Sequence, residues 1–370
     1  MDTNTNPASL SGGRVLIVSR LLDGWLLFIA RSLTSAGYDV TIVTNTDASV
    51  DDSDHRDILK YFLPNPFCRL IDFMDAPQLL EMRYDFAIAG LRGASPPEEK
   101  QKLLALIGAT PLRAVMLRYY DTRLPAMASL VVKEMLHPFI RRASRVLVEE
   151  YKDASWALWL LGPVSRLGIV PHQRVICQGM PDGLGDQTER TYLFNFLGTY
   201  PGQYVPPEPR VLIIDRLESR FQISNGGAHQ VNLGGKAVSI MWHADRPGST
   251  RNRPLNEYLD TLCNSYFTLC LPGAVLTTHR ALEAIQCGSI PVLPAESISQ
   301  YRLPLAHGRN CWRVTHNNWE TALAALSALD QNQIFEMQTA VRSLARNEAS
   351  IPSLEKKCLH HLGLEHAQLL

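Results

Sequence analysis

Between Tyr258 and Leu293 the chain reads YLDTLCNSYFTLCLPGAVLTTHRALEAIQCGSIPVL, and this stretch restricts the fold more than any other. An aromatic and apolar run, Tyr266–Leu271, stops at Pro272-Gly273 and predicts a buried strand. Thr277 or Thr278 is placed to cap the helix that follows, and Gly288 to end it in the left-handed conformation after Cys287. The next apolar run, Ile290–Leu293, comes so soon that only a parallel neighbour of the first strand fits. Strand, loop, helix start and parallel strand together bring unpaired N–H groups and the positive end of a helix dipole to the carboxyl edge of a sheet. Open α/β folds bind nucleotides and phosphates at that edge.

The polar residues of this helix sharpen the expectation. His279 and Arg280 fall in its first turn, where a pyrophosphate would sit and where an arginine can fork two oxygens. Glu283 lies one turn further along on the His279 face, placed to accept from the vicinal hydroxyls of a ribose. On spacing alone, an ordinary α/β helix with a surface Arg–Glu pair reads equally well.

SYFTLCLPG followed by TTHRALEAIQCGSIPV resembles the nucleotide-binding signature of exostosin-like glycosyltransferases, and Phe196-Leu197-Gly198 with the later run from Arg210 is similar to the opening of their C-terminal domain. The resemblance implies an α/β chain of the GT-B type, two Rossmann-like domains facing a central cleft, that moves a sugar from a nucleotide donor with inversion. It places Arg280 on the diphosphate and Glu283 on the ribose. Pro272, Gly273, Thr277 and Thr278 match the loop that approaches the phosphates, and uridine diphosphate is the donor nucleotide it favours. Ala274-Val275-Leu276 departs from the family, where this loop is more polar.

Composition agrees with that class. At 370 residues the chain is long enough for two domains with separate cores. Lys+Arg and Asp+Glu stand at 36 each, so no global charge points to DNA or RNA. Seven cysteines are scattered singly, with no C-x₂-C spacing for zinc or redox chemistry, and are expected to be reduced. The N-terminus lacks the basic start and apolar core of a signal peptide, and no apolar run is long enough to span a bilayer. A bacterial cytoplasmic enzyme of polysaccharide biosynthesis is the expectation, with no cofactor and no metal.

The organisation expected is a polar segment over 1–13, an acceptor domain over 14–182, a donor domain over 190–350 and a helical tail over 351–370 that returns to the first domain. The breaker cluster at Gly179–Gly185 marks the linker. In the first domain, Arg14–Ser19, Gly24–Ala36 and Tyr38–Val43 predict β-α-β without a G-x-G-x-x-G turn. Strands are expected at Phe86–Ala89, Arg113–Leu117, Arg145–Val148 and Arg174–Cys177, and helices near Glu98–Leu106, Met127–Arg142 and Glu150–Leu167. In the second, Arg210–Asp215 and Val238–Trp242 read as strands and Ser224–Gly235 as a Gly-rich loop. His243–Pro254 reads as a polar loop whose Arg246, Arg251 and Arg253 are suited either to phosphate or to solvent.

Inverting transfer needs a base on the acceptor hydroxyl and countercharge for the departing nucleotide. Asp121, after the strand Arg113–Leu117, is the first candidate base; Asp23 and Glu149, each after a strand, are the others. Asp52-Ser53-Asp54 matches D-x-D but sits in an acidic surface loop, far from the nucleotide signature. The acceptor is a glycan or other hydroxyl compound. A non-catalytic two-lobed nucleotide- or sugar-binding protein, or an inactive homologue, would share these features.

Overall fold

A computed structural model describes residues 12–20, 24–44, 68–72, 75–76, 83–92, 97–118, 141–150, 167–171, 189–200, 208–233, 235–246, 255–272, 278–301 and 303–364. The chain divides into two compact units. The first takes the chain to Glu149 together with Ser155–Val170 and Glu355–Leu370, and the second takes Glu150–Ala154 and Pro171–Leu354. Among the described residues no helix is long and apolar enough to cross a membrane. Gly179–Gly185 lies outside them, as do Arg174–Cys177 and most of Met127–Arg142.

The first unit opens with β1 (Arg14–Ser19), α1 (Gly24–Ser35) and β2 (Asp39–Thr44). Gly37 stands at φ 81°, the positive value that lets the chain reverse out of α1 into the next strand. β3 (Cys68–Asp72), β4 (Phe86–Arg92), α2 (Pro97–Ile107), β5 (Leu112–Arg118), β6 (Arg145–Glu150) and β7 (Leu167–Pro171) follow. The sheet order is β3-β2-β1-β4-β5-β6-β7. The five pairs from β3 through β6 are parallel, so β1 and β4 flank the point where the winding reverses. Val15–Val18 and Ala87–Ala89 are buried, as a sheet covered on both faces requires. Expected as a helix, Glu150–Leu167 instead has Glu150 closing β6 and Leu167 opening β7; 151–166 lie outside the described residues.

The second unit is built on β8 (Tyr192–Thr199), α3 (Arg210–Phe221), β9 (Gly227–Leu233), β10 (Lys236–Asp245), α4 (Leu255–Cys263), β11 (Ser265–Leu269), α5 (His279–Gln286) and β12 (Ile290–Pro294). A 3₁₀ turn (Ala295–Tyr301), β13 (Trp312–Val314), α6 (Trp319–Ala328), α7 (Gln331–Asn347) and α8 (Ile351–His361) complete the order. The sheet runs β13-β12-β11-β8-β10-β9, parallel except for β9, which pairs antiparallel with β10. Its winding reverses between β8 and β11.

Two expectations are corrected here. Arg210–Asp215 is the first half of α3, not a strand: Arg210, Ile213, Ile214 and Leu217 are buried at helical spacing while Leu212 is 49% exposed. Four consecutive apolar residues look alike in either state, and the burial period decides between them. Ser224–Gly235 is not a loop throughout, because Gly227–Leu233 pairs residue for residue with β10. The predicted strand Val238–Trp242 lies inside β10, which continues through His243–Asp245. Phe194, Phe196, Trp242 and Phe267 pack at the centre of this unit's core.

The last helix is tied down inside the first unit. Arg31 Nε donates to Glu355 Oε1 at 2.8 Å, and Ser35 Oγ donates to the same oxygen at 3.1 Å. Arg113 Nε donates to the Leu362 carbonyl at 2.9 Å and its Nη2 to that of Gly363, while Arg145 reaches the His361 carbonyl at 3.3 Å.

Candidate functional site

Helix α5 is held at both ends. Gly288 adopts φ 67°, its N–H bonds the Ile285 carbonyl at 2.9 Å, and the Ser289 N–H bonds that of Ala284 at 2.8 Å. This paired closure satisfies the last carbonyls, as a glycine after the helix permits. At the other end Thr278 occupies the capping position with extended backbone, φ −121° and ψ 141°, but its side chain makes no capping bond. The Tyr301 hydroxyl performs the fastening instead: it accepts from the Thr278 N–H at 2.8 Å and donates to the Thr278 carbonyl at 3.1 Å.

The helix is buried nearly all round, between the sheet and helices α4 and α7. Its charged residues share that burial: Arg280 is 8% exposed and Glu283 only 1%. A solvated surface pair is therefore excluded. The Arg280 guanidinium stands 5.4 Å from the centre of the Phe196 ring, within cation–π range. It also lies against the backbone of Gly198 so closely that a Cβ there would be 2.8 Å from Nη2 and 3.1 Å from Nη1. Gly198 is at the carboxyl end of β8, so the cation occupies the reversal point of the sheet.

Burial opposes the charge of Arg280, but Tyr258, Cys270 and Glu283 around it more than offset that cost and hold its pKa above the ordinary value. Among the described residues its Nε has no hydrogen-bond partner. Glu283 accepts a 2.5 Å hydrogen bond at Oε2 from the hydroxyl of Tyr258, a residue of α4. Burial, then the charge of Glu283, pushes the Tyr258 hydroxyl well above its usual pKa and keeps it a donor.

A second arginine meets the same edge. Arg210 opens α3 and is 6% exposed. Its Nε donates to the Pro272 carbonyl at 2.6 Å, Nη2 to that of Leu271 at 3.1 Å, and Nη1 to the Thr199 carbonyl and Oγ1, each at 3.1 Å. One fork thus ties the segments that leave β8 and β11, the two strands flanking the reversal. Burial, reinforced by the nearby charge of Arg280, lowers the Arg210 pKa to about 9.

Of the residues singled out from the sequence, Pro272, Thr278, His279, Arg280 and Glu283 come together along this edge, with Pro272 buried and its carbonyl held by Arg210. His279 is half-buried at the start of α5. Arg246 is engaged by Glu218 Oε2 at 2.5 Å and lies 4.2 Å from the centre of the Tyr200 ring. Gly273, Thr277, Arg251, Asp23 and Asp121 fall outside the described residues. Glu149 lies inside β6, which runs on to Glu150 and does not stop at Val148. Tyr258 escaped the sequence reading, which took Gly198 and Arg210 only as part of the family motif and gave them no role at the site. Tyr258 sits four residues after the predicted polar loop, with no spacing that links it to Glu283.

Residues 141–311 match the exostosin GT47 domain. No curated protein matches the chain at a significant level. Among solved structures, Anabaena HepE in complex with UDP superposes with a TM-score of 0.55 at 10% identity, covering 95% of this chain and 99% of that one. Sucrose-phosphate synthase from Thermosynechococcus elongatus gives 0.52 at 12% identity over 96% and 100%. The catalytic domain of Arabidopsis thaliana starch synthase IV, bound to ADP and acarbose, gives 0.54 at 11% identity over 95% and 100%. These neighbours are GT-B glycosyltransferases, and the two doubly wound sheets described above are that fold. The GT47 match over residues 141–311 and the GT-B fold of the two sheets agree with the resemblance to exostosin-like glycosyltransferases read from the sequence.

Proposed function

We propose that this protein transfers a sugar from a UDP-sugar to a hydroxyl of a glycan or small-molecule acceptor, with inversion and without a metal. The observation that carries the reading is Arg280: a buried guanidinium at the reversal point of a parallel sheet, whose Nε has no partner among the described residues, beside a helix N-terminus. Glu283 and Tyr258 answer part of this charge, and a diphosphate fits both the fork and the helix start beside it. The choice of uridine rests on the family resemblance and on Anabaena HepE, which shares the fold and was solved with UDP and with UDP-glucose.

In this mechanism Glu283 holds the ribose, and Arg280 with the N–H groups at the start of α5 takes up the negative charge that grows on the leaving diphosphate. Pro272 and Gly273, with Thr277 and Thr278, carry the loop against the phosphates. Asp121, Asp23 or Glu149 removes the acceptor proton.

The test is thermal stabilisation by UDP, GDP, dTDP and CMP donors, followed by turnover at saturating substrates. Arg280→Ala should weaken UDP binding by about 1.5–3 kcal/mol and lower turnover as well, and Arg280→Lys should recover only part because it lacks the fork. Wild-type affinity and turnover in Arg280→Ala would sink the assignment. UDP binding without transfer or hydrolysis would leave a binding protein in place of an enzyme.

A further inference from the structure

We propose that Tyr258 is a positioning residue for Glu283, and that the pair makes the site selective for ribonucleotides over 2′-deoxyribonucleotides. The inference rests on the reading of Glu283 as the ribose carboxylate. It comes from the way that carboxylate is held. Glu283 is buried at 1% exposure, and Tyr258 grips Oε2 from a different helix, across a 2.5 Å bond.

A carboxylate that must accept from two vicinal hydroxyls has to keep one rotation about its last bond, and that terminal torsion is intrinsically broad. A donor fixed on one oxygen removes the freedom. The Tyr258 ring is itself fixed, packed with Leu259, Leu262, Cys263 and Cys287, so the hydroxyl is presented from a rigid base. Cys287 caps the C-terminus of α5, so the same small cluster steadies both the donor and the helix that carries the acceptor. Burial keeps the hydroxyl protonated at any ordinary pH, so it serves only as a donor toward the carboxylate. A ribose then meets an acceptor already turned toward both hydroxyls. A 2′-deoxyribose offers one hydroxyl and strands the part of the acceptor aimed at the other.

The experiment compares the affinities of the full chain for UDP and for 2′-deoxy-UDP by calorimetry. The wild type should prefer UDP by about tenfold or more, the factor that one hydrogen bond to a charged group carries. Tyr258→Phe, which removes only the hydroxyl, should cut that preference by about fivefold and leave the larger part of the phosphate-borne affinity in place. A merely structural role for Tyr258 would lower the melting temperature without moving the ratio.

Because Tyr258→Phe takes a donor from a buried carboxylate, the same change is also made in a Glu283→Gln background, where the carboxylate charge itself is gone. There the hydroxyl should alter the ratio by less than about twofold, since a positioning residue acts only through its partner. A wild type that binds UDP and 2′-deoxy-UDP equally would remove the ribose role of Glu283, and this inference with it. A discriminating wild type whose preference survives Tyr258→Phe would overturn the inference alone, as would an equal effect of Tyr258→Phe in both backgrounds.

Discussion

Gly198→Ala is the sharpest probe of the anion site, because it moves Arg280 without touching it. The added methyl would stand 2.8 Å from Nη2, 3.1 Å from Nη1 and 3.3 Å from Cζ of Arg280. The guanidinium is the far end of a flexible side chain, so it gives way before the strand does, retreating by roughly 0.6–1 Å to an ordinary contact distance. Gly198 does not use a positive φ, so alanine brings no backbone strain of its own. Withdrawing a cation by that amount from a phosphate about 4 Å away, at an effective dielectric of about 20, costs about 0.5–0.8 kcal/mol in attraction. Misdirecting one charge-assisted hydrogen bond adds about 1 kcal/mol. UDP affinity should therefore fall by about 10–30-fold, read by calorimetry. The melting temperature should shift by no more than about 4 °C, since the cost to the fold stays near 1 kcal/mol. In an Arg280→Ala background the same change should have no further effect on UDP. An affinity within twofold of wild type in Gly198→Ala alone would show that the guanidinium at this position does not meet the ligand.

Two further outcomes concern stability. Glu355→Ala removes a carboxylate that is only 4% exposed and takes bonds from Arg31 and Ser35, so it should cost about 1.5–3 kcal/mol in denaturant melts. A loss below about 0.5 kcal/mol would mean the last helix is held by packing alone. His307 accepts the Arg313 N–H at Nδ1 over 3.0 Å, and burial, then Arg313, lowers its pKa from the ordinary value of 6.5. The folded state therefore prefers neutral imidazole, the unfolded chain takes up the proton first, and stability should decline as pH falls below 6.5. Melting temperatures for wild type and His307→Asn across that range check the sign; an equal decline in both would remove His307 as its source.

The sequence displays the parts of the fold that depend on local pattern. β1, with its continuous apolar run, begins and ends at the predicted residues, and Gly288 closes α5 by the conformation expected of it. Where two states share a local signature, the sequence misleads. Val211–Ile214 satisfies a strand template, and only the burial of Leu217 beyond it reveals a helix. β9 was hidden because Gly227 and the glycines that flank the strand resemble a loop, whereas long-range pairing with β10 makes it a strand. Arg280 and Glu283 were legible because they stand in a family motif at the start of a helix, whereas their spacing alone fits a surface pair equally well. Tyr258 was not, because a hydroxyl that reaches Glu283 from 25 positions away leaves no periodic trace. Arg210 was hidden more deeply, since its partners are backbone carbonyls, which every residue possesses.

The fastening of the last helix also imposes an order of events on synthesis. Arg31, Arg113 and Arg145 emerge early, yet the oxygens they hold lie 324, 249 and 216 positions downstream. The second unit is translated in full before Glu355 appears. The first unit must therefore wait, with its seven-stranded sheet made and the seat of its closing helix uncovered, while the rest of the chain is produced. A ribosome stalled shortly before residue 355 would present a second unit with its sheet complete and a first unit still open. In such a chain, protease sensitivity should concentrate on the earlier half of the sequence.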